Sequence, residues 1–212
     1  MKRPASFSYE EKFWKSGLSL VAGVDEVGRG AWAGPLYAAA VVFPPSVKLP
    51  FFLYDSKVLT PTKRAEIADA VKRYAFAFAY GIASVSLIER YGLTYATDYA
   101  MRSALEHLGL KPDFVLVDFF RVRSLTCCGQ EAIKFGDRLS ASIAAASILA
   151  KVERDFVMGT FDKIFPAYGF GRNKGYGTKG HQEAIQKFGT VAIHRESFIP
   201  KAIKGTQCIK WK

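Results

Sequence analysis

Apolar residues in this chain fall in short runs that end at an acid, a glycine or a proline. Leu18, Leu20, Val21, Ala22 and Val24 lead into Asp25-Glu26-Val27, and residues 18–27 are predicted to form a buried strand because an aliphatic run is bounded there by turn residues. A second strand is predicted over residues 36–43, stopped by Pro44-Pro45, with Gly28-Arg29-Gly30 and Gly34-Pro35 punctuating the connection. Thr60-Pro61 starts a helix, a capping residue followed by proline at the first helical position, and Ile67, Ala70, Val71 and Tyr74 then share one face. Strand character returns over residues 75–85. Thr94 or Thr97 opens another helix, which aligns Met101, Ala104, Leu105 and Leu108 and closes at Gly109 and Pro112. Phe114-Val115-Leu116-Val117 is a continuous apolar run suited to the centre of a sheet, and it ends at Asp118.

Residues 132–135 are predicted as a further short strand, leading through Gly136 to Asp137. Residues 139–156, rich in Ala and Ser, read as a helix able to pack closely on the sheet. After Pro166 come a glycine-rich basic loop, a helix opened by Thr178 and closed by Gly189, and a Lys-rich tail. Residues 1–16 set Phe7, Tyr9, Phe13 and Trp14 among charges and read as an amphipathic leading segment. Early strands in hairpin-like succession followed by strands alternating with helices predict an α/β fold, a mixed sheet covered by helices. The chain of 212 residues suits one domain. It is divided here into the segment 1–16 and a domain 17–212 whose helical C-terminal subdomain begins at about residue 157.

Bulk properties narrow the classes. No apolar run reaches the length of a membrane span, and Met1-Lys2-Arg3-Pro4 lacks the apolar block of a secretory signal. The three cysteines, two of them the adjacent Cys127 and Cys128, form neither a disulfide framework nor a spaced zinc set, which favours a reducing, cytoplasmic location. A net charge of +11, from 30 Lys and Arg against 19 Asp and Glu, favours a polyanionic partner. Arg172, Lys174 and Lys179 lie among five glycines between Gly169 and Gly180, where backbone amides and cations can approach phosphates together.

Asp25, Glu26, Asp118 and Asp137 stand at the ends of apolar segments, and gathering them without a cation would be strongly self-repelling. Hard oxygen donors select Mg²⁺ or Mn²⁺, because His107, His181 and His194 show no ligand spacing with cysteine. Such ions activate water and stabilise a leaving oxygen in phosphodiester hydrolysis. The plainer alternative is a scatter of strand-end acids satisfied by arginines, with Arg29 paired to the first two. Neighbouring residues on a regular strand point to opposite faces, so Asp25 and Glu26 share a metal only with help. Either the strand distorts near Val27-Gly28, or Glu26 contributes from another side or through its carbonyl.

At this point the chain resembles the type 2 ribonuclease H family, most closely its bacterial ribonuclease HII members, from about Leu20 to Pro200. The resemblance rests on Ala22-Gly23-Val24-Asp25-Glu26-Val27-Gly28-Arg29-Gly30 with Ala33-Gly34-Pro35, on Asp55-Ser56-Lys57 and on Val115-Leu116-Val117-Asp118. It continues through Gly136-Asp137, the stretch from Ser142 to Val152 and Arg154-Asp155. Tyr168-Gly169-Phe170, Lys174-Gly175-Tyr176 and His194-Arg195 with Ser197-Phe198 complete it. It implies a ribonuclease H-like fold with a helical C-terminal subdomain, acting as a monomer on RNA–DNA hybrids and on ribonucleotides embedded in duplex DNA. By analogy cleavage lies 5′ of the ribonucleotide and leaves 3′-hydroxyl and 5′-phosphate ends. Asp25, Glu26 and Asp118 match the family's metal-binding acids and Asp137 its fourth acid. Gly28-Arg29-Gly30 matches the loop that reads the ribose 2′-hydroxyl, and Tyr176 the tyrosine that stacks at the RNA-to-DNA junction.

Physically, the 2′-hydroxyl alone distinguishes RNA at a given site, and glycines beside Arg29 let backbone groups come close to the sugar. Lys57, Lys174 and Lys179 are expected phosphate contacts, while Asp55 either starts a helix or fixes a loop. Lys151 and Arg154 are read as helix-terminus charges, the histidines as structural, and Asp69, Asp98 and Asp162 as solvated or capping acids. The chain departs from the family in placing Phe119-Phe120 after the third acid, where glycine is usual, and Phe135 in place of lysine before Gly136-Asp137. The competing readings are a ribonuclease HIII type, against which Arg29 and the short N-terminus argue, and a non-catalytic hybrid-binding protein.

Overall fold

The structure is a computed structural model and describes residues 3–203, so the predicted Lys-rich tail lies largely outside it. Five strands form one mixed sheet: β1 (Val21–Val27), β2 (Leu36–Val42), β3 (Ala77–Ala83), β4 (Phe114–Asp118) and β5 (Gly129–Ile133), in the order β3-β2-β1-β4-β5. β1, β2 and β3 pair antiparallel, whereas β4 lies parallel to β1 and to β5. Helix α1 (Ser8–Lys15) precedes the sheet; α2 (Pro61–Tyr74), α3 (Val85–Glu106) and α4 (Ala141–Ile164) cover it; α5 (Phe170–Asn173) and α6 (Lys179–Phe188) follow.

Side-chain alternation along the strands divides the core in two. Ala22, Val24, Ala38, Ala40, Val115 and Val117 face α3, while Ala39 and Val41 face α2 and the buried, alanine-rich start of α4. The helices press directly on the sheet where a glycine allows it. A Cβ at Gly23 would lie 2.2 Å from the Ser142 carbonyl carbon of α4, and one at Gly81 would lie 1.9 Å from the Ala100 oxygen of α3. The leading segment covers the core: Phe13 stacks on Phe114 at 3.9 Å, and Phe7 meets Phe43 edge-on at 5.4 Å. Its Glu10, fully buried, accepts from Ser140 Oγ at 2.6 Å and from the Ser142 amide at 2.8 Å, placing a carboxylate where the α4 N-terminus has donors to satisfy.

Three predicted boundaries need correction. The helix expected from Thr94 or Thr97 begins at Val85, capped by Ser84, and is broken at Gly92 (φ 81°, ψ 166°), so the periodic pattern detected only its second part. β5 occupies Gly129–Ile133 instead of residues 132–135, because Phe135 adopts a left-handed conformation (φ 59°, ψ 38°) that cannot continue a strand. Its exposed edge, bearing Gln130 and Glu131, gave little hydrophobic signal. The helix expected over residues 139–156 runs as α4 to Ile164, past residue 157, and its second half carries a separate cluster of Met158, Tyr168, Phe170, Ala184 and Ile185.

Glycine is required at Gly81 by contact and is dispensable at Gly159, where an added Cβ meets nothing within 4 Å. Chemical denaturation is expected to show Gly81→Ala destabilised by about 1–3 kcal/mol, and Gly159→Ala, inside α4, stabilised by about 0.5–1 kcal/mol.

Candidate active site

The parallel register of β1 and β4 ends at Val24 opposite Val117, so the next residues, Asp25 and Asp118, emerge side by side at the strand ends. Beyond this point β1 pairs with β2 alone, up to Val27 opposite Tyr37. The Glu26 amide donates to Asp25 Oδ1 at 2.7 Å, which turns that carboxylate along the strand towards its neighbour. Both acids and Asp118 therefore face one cavity of about 390 Å³, lined also by Val27, Ser56, Lys57, Ser147, Lys151 and Tyr176. The pairing with β2 stays regular through both acids, so no bulge brings them to the cavity.

The cavity is costly for anions. Burial, then the charges of Glu26 and Asp118, hold the Asp25 carboxyl well above the usual range, with a partial offset from Ser147. Glu26 is raised by burial and by Asp118 against the pull of Arg29, and its Oε2 is buried without a hydrogen-bond partner. Asp118 is raised by burial, although the Gly136 amide donates to its Oδ1 at 2.7 Å. Asp137 is raised by burial and by Asp118 and Asp55; it sits in the turn behind Asp118 and does not line the cavity. An orphaned carboxylate oxygen among hard oxygen donors fits a divalent cation. Among the described residues no three ligating side chains enclose an ion by themselves; Mg²⁺ characteristically takes one or two carboxylates together with water and substrate phosphate oxygens.

Cations around the acids are tied down by other elements. Asp55 fixes the turn bearing Lys57, accepting from the Lys57 amide at 3.0 Å and pairing with Arg138 at 3.2 Å, and Arg64 holds the Ser56 and Leu59 carbonyls from α2. Lys151 pairs with Asp155 at 2.7 Å at the cavity wall. Because α4 continues to Ile164, neither Lys151 nor Arg154 is a helix-terminus charge.

Arg154 and Arg195 instead form a buried clamp, both fully inaccessible. Arg154 donates to the carbonyls of Pro35, Ala33 and Lys174, and Arg195 to those of Gly34, Gly28 and Arg29, all within 2.7–3.2 Å. Burial and the neighbouring Arg154 push Arg195 down to about 9. The clamp joins the Gly28-Arg29-Gly30 turn to the loop before Tyr176. Gly28 is required there, since its φ is +94° and a Cβ would lie 2.2 Å from Arg154 Nε. Arg29 lies 3.7 Å from Glu26 and rests over the Phe120 ring at 4.6 Å.

Tyr176 lines the acid cavity with its ring partly exposed and the Arg154 guanidinium 5.7 Å from its centroid. Its carbonyl accepts from His181 Nδ1 at 2.9 Å, which leaves His181 Nε2 to accept from His194 Nε2 at 3.1 Å and His194 Nδ1 to accept from the Val191 amide at 2.8 Å. Burial keeps both rings neutral, His194 being pushed down to about 4. Lys174 and Lys179 do not line the cavity: Lys174 Nζ reaches the Asp155 carbonyl at 3.4 Å, and Lys179 stands exposed on α6 beside Glu183. Asp98 proves to be a loop anchor, accepting from the Arg123 amide and from Ser124. Sequence reasoning missed Ser147 and the two arginines as parts of the site. For Ser147 the available signal was a hydroxyl inside an alanine run; Arg154 reads as a helix-terminus charge, and no local signal marks Arg195 as interior.

The family model described as ribonuclease HII matches residues 22–201. Ribonuclease HII of Desulfitobacterium hafniense (strain DSM 10664 / DCB-2) is 46% identical over 191 residues, covering 90% of this chain and 73% of that protein. Among solved structures, the PCNA:RNase HII complex from Archaeoglobus fulgidus aligns with a TM-score of 0.71 at 22% identity, covering 84% of this chain and 93% of that one. Bst-RNase HIII in complex with Mn²⁺ aligns with a TM-score of 0.62 at 20% identity, covering 81% and 63% respectively.

Lysine cannot span the carbonyls that Arg195 gathers. Arg195→Lys is expected to lower stability by about 2–4 kcal/mol in denaturant unfolding and to raise the rate of trypsin cleavage after Arg29.

Proposed function

Because the chain belongs to the ribonuclease HII family, endonucleases that hydrolyse RNA in RNA–DNA hybrids, we propose that its cavity also nicks duplex DNA 5′ of an embedded ribonucleotide. The products are a 3′-hydroxyl and a 5′-phosphate. The observation carrying this reading is the register that sets Asp25 beside Asp118, with the turn bearing Arg29 leaving the same strand end.

In this reading Asp25, Glu26 and Asp118 hold Mg²⁺ or Mn²⁺, which when bound activates water and stabilises the leaving oxygen. Asp137 is the fourth acid of the site, held in the turn whose Gly136 amide binds Asp118. Gly28, Arg29 and Gly30 present hydrogen-bonding groups to the 2′-hydroxyl, and the carbonyls of Gly28 and Arg29 are already engaged by Arg195, so the turn meets the sugar in a fixed shape. Tyr176 stacks on the adjoining nucleotide, and Lys57, exposed at the cavity edge, contacts phosphate. Lys174 and Lys179 extend the basic surface farther along the duplex. No helix among the described residues is long and apolar enough to cross a membrane, and Cys127 and Cys128 are free thiols; the enzyme acts as a cytoplasmic monomer.

Purified protein with Mg²⁺ or Mn²⁺ is expected to nick a duplex carrying one ribonucleotide, and absence of nicking with both ions would overturn the proposal. Preference for a continuous hybrid over that duplex would favour the HIII type. Asp118→Asn retains an oxygen for the Gly136 amide and removes one charge from the cavity. It is expected to abolish cleavage, preserve duplex binding and leave the metal-free protein at least as stable, as read by gel assay, anisotropy and thermal melting.

A further inference from the structure

The turn after Asp118 is built around two exposed phenylalanines, the first of them in an unfavourable backbone conformation. Phe119 has φ 59°, a left-handed conformation that glycine accepts readily and a bulky side chain rarely does. The Phe120 amide closes back on the Asp118 carbonyl at 2.6 Å. Half of the Phe119 side chain and 45% of Phe120 remain accessible, so burial does not repay the strain.

The turn is nevertheless held. The Gln130 side chain pairs with the Val122 amide and carbonyl, both at 2.8 Å, and Asp98 accepts from the Arg123 and Ser124 amides. Phe119 packs edge-on against Phe120 with ring centroids 4.6 Å apart, and the Arg29 guanidinium lies 4.6 Å over the Phe120 ring. Arg195 fixes the backbone of Arg29 but not its side chain. Among the described residues, the other side-chain partner of Arg29 is Glu26, at 3.7 Å, beyond hydrogen-bond range. In the proposed function Glu26 is also engaged by the metal, which leaves the aromatic face to set where the guanidinium points.

We propose that Phe120 is a positioning residue for Arg29: its ring, delivered by the strained Phe119 turn, aims the guanidinium at the ribonucleotide sugar and so sets the preference for ribose over deoxyribose. This rests on the assignment of Gly28-Arg29-Gly30 as the ribose reader. The strain at Phe119 is then retained because it places this platform beside the third acid.

The test is fluorescence anisotropy with two labelled duplexes, one carrying a single ribonucleotide and one all-deoxy, with Ca²⁺ replacing Mg²⁺ or Mn²⁺ and the absence of cleavage verified. The ratio of the two affinities is measured for wild type, Arg29→Ala, Phe120→Leu, Phe120→Tyr and Arg29→Ala/Phe120→Leu. Phe120→Leu is expected to reduce the ratio roughly three- to fivefold, Phe120→Tyr to preserve it, and the double variant to match Arg29→Ala. A wild-type ratio in Phe120→Leu, or a double variant below Arg29→Ala, would overturn the proposal while leaving the ribose reader standing. If Arg29→Ala still distinguishes the duplexes, the guanidinium takes no part in the reading and the proposal fails while a backbone reader stands; if wild type does not distinguish them, the reader assignment fails and the proposal falls with it.

Discussion

Two buried guanidinium groups, held by main-chain carbonyls, determine how the functional loops meet. Arg154 donates to the main-chain carbonyls of Ala33, Pro35 and Lys174, and Arg195 through Nε and Nη1 to those of Gly28, Arg29 and Gly34, while Arg195 Nη2 is buried without a partner among the described residues. Carbonyl dipoles offset the desolvation of a cation only when several converge, and loops supply that convergence only in one arrangement. The same contacts that accommodate the charges therefore lock the Gly28-Arg29-Gly30 turn, Gly34-Pro35 and the approach to Tyr176 into a single unit. A histidine pair completes it from the other side by holding the Tyr176 carbonyl.

Opposed to this carbonyl-bound frame is the cavity of acids. Parallel pairing of β1 with β4 sets two carboxylates side by side; burial raises the proton affinity of each, and the charges of Glu26 and Asp118 raise that of Asp25 further. The surrounding structure makes such an arrangement tolerable: glycine at position 23 lets α4 press on β1, and Glu10 from the leading helix closes the α4 N-terminus. Stability is concentrated in the sheet and α4, while charge repulsion and backbone strain are concentrated at the strand ends. Phe119 and Phe135, both left-handed and both half exposed, flank Asp118 and the Gly136 amide that binds it.

Much of this was readable from residues alone. Strand and helix positions followed from periodicity, the Thr60-Pro61 start from capping chemistry, and the acids from the cost of placing charge at the end of an apolar run. The misread elements had weak or mixed signals. β5 is an exposed edge strand with little apolar content, and the first turns of α3 lie before a glycine break. Lys151 and Arg154 read as terminal charges because the predicted helix ended at Phe156, whereas α4 continues to Ile164 and buries Met158.

The sequence by itself determined the alternation of strands and helices, the family, and the types of donor available for a metal and a sugar, since these depend on local chemistry and spacing. Tertiary structure decided how the acids meet, because strand register places Asp25 against Asp118. It also decided that Arg154 and Arg195 are interior. A positive charge in a sequence reads as solvent-facing; only the folded chain can bring together carbonyls from distant loops to replace the water that the charge gives up.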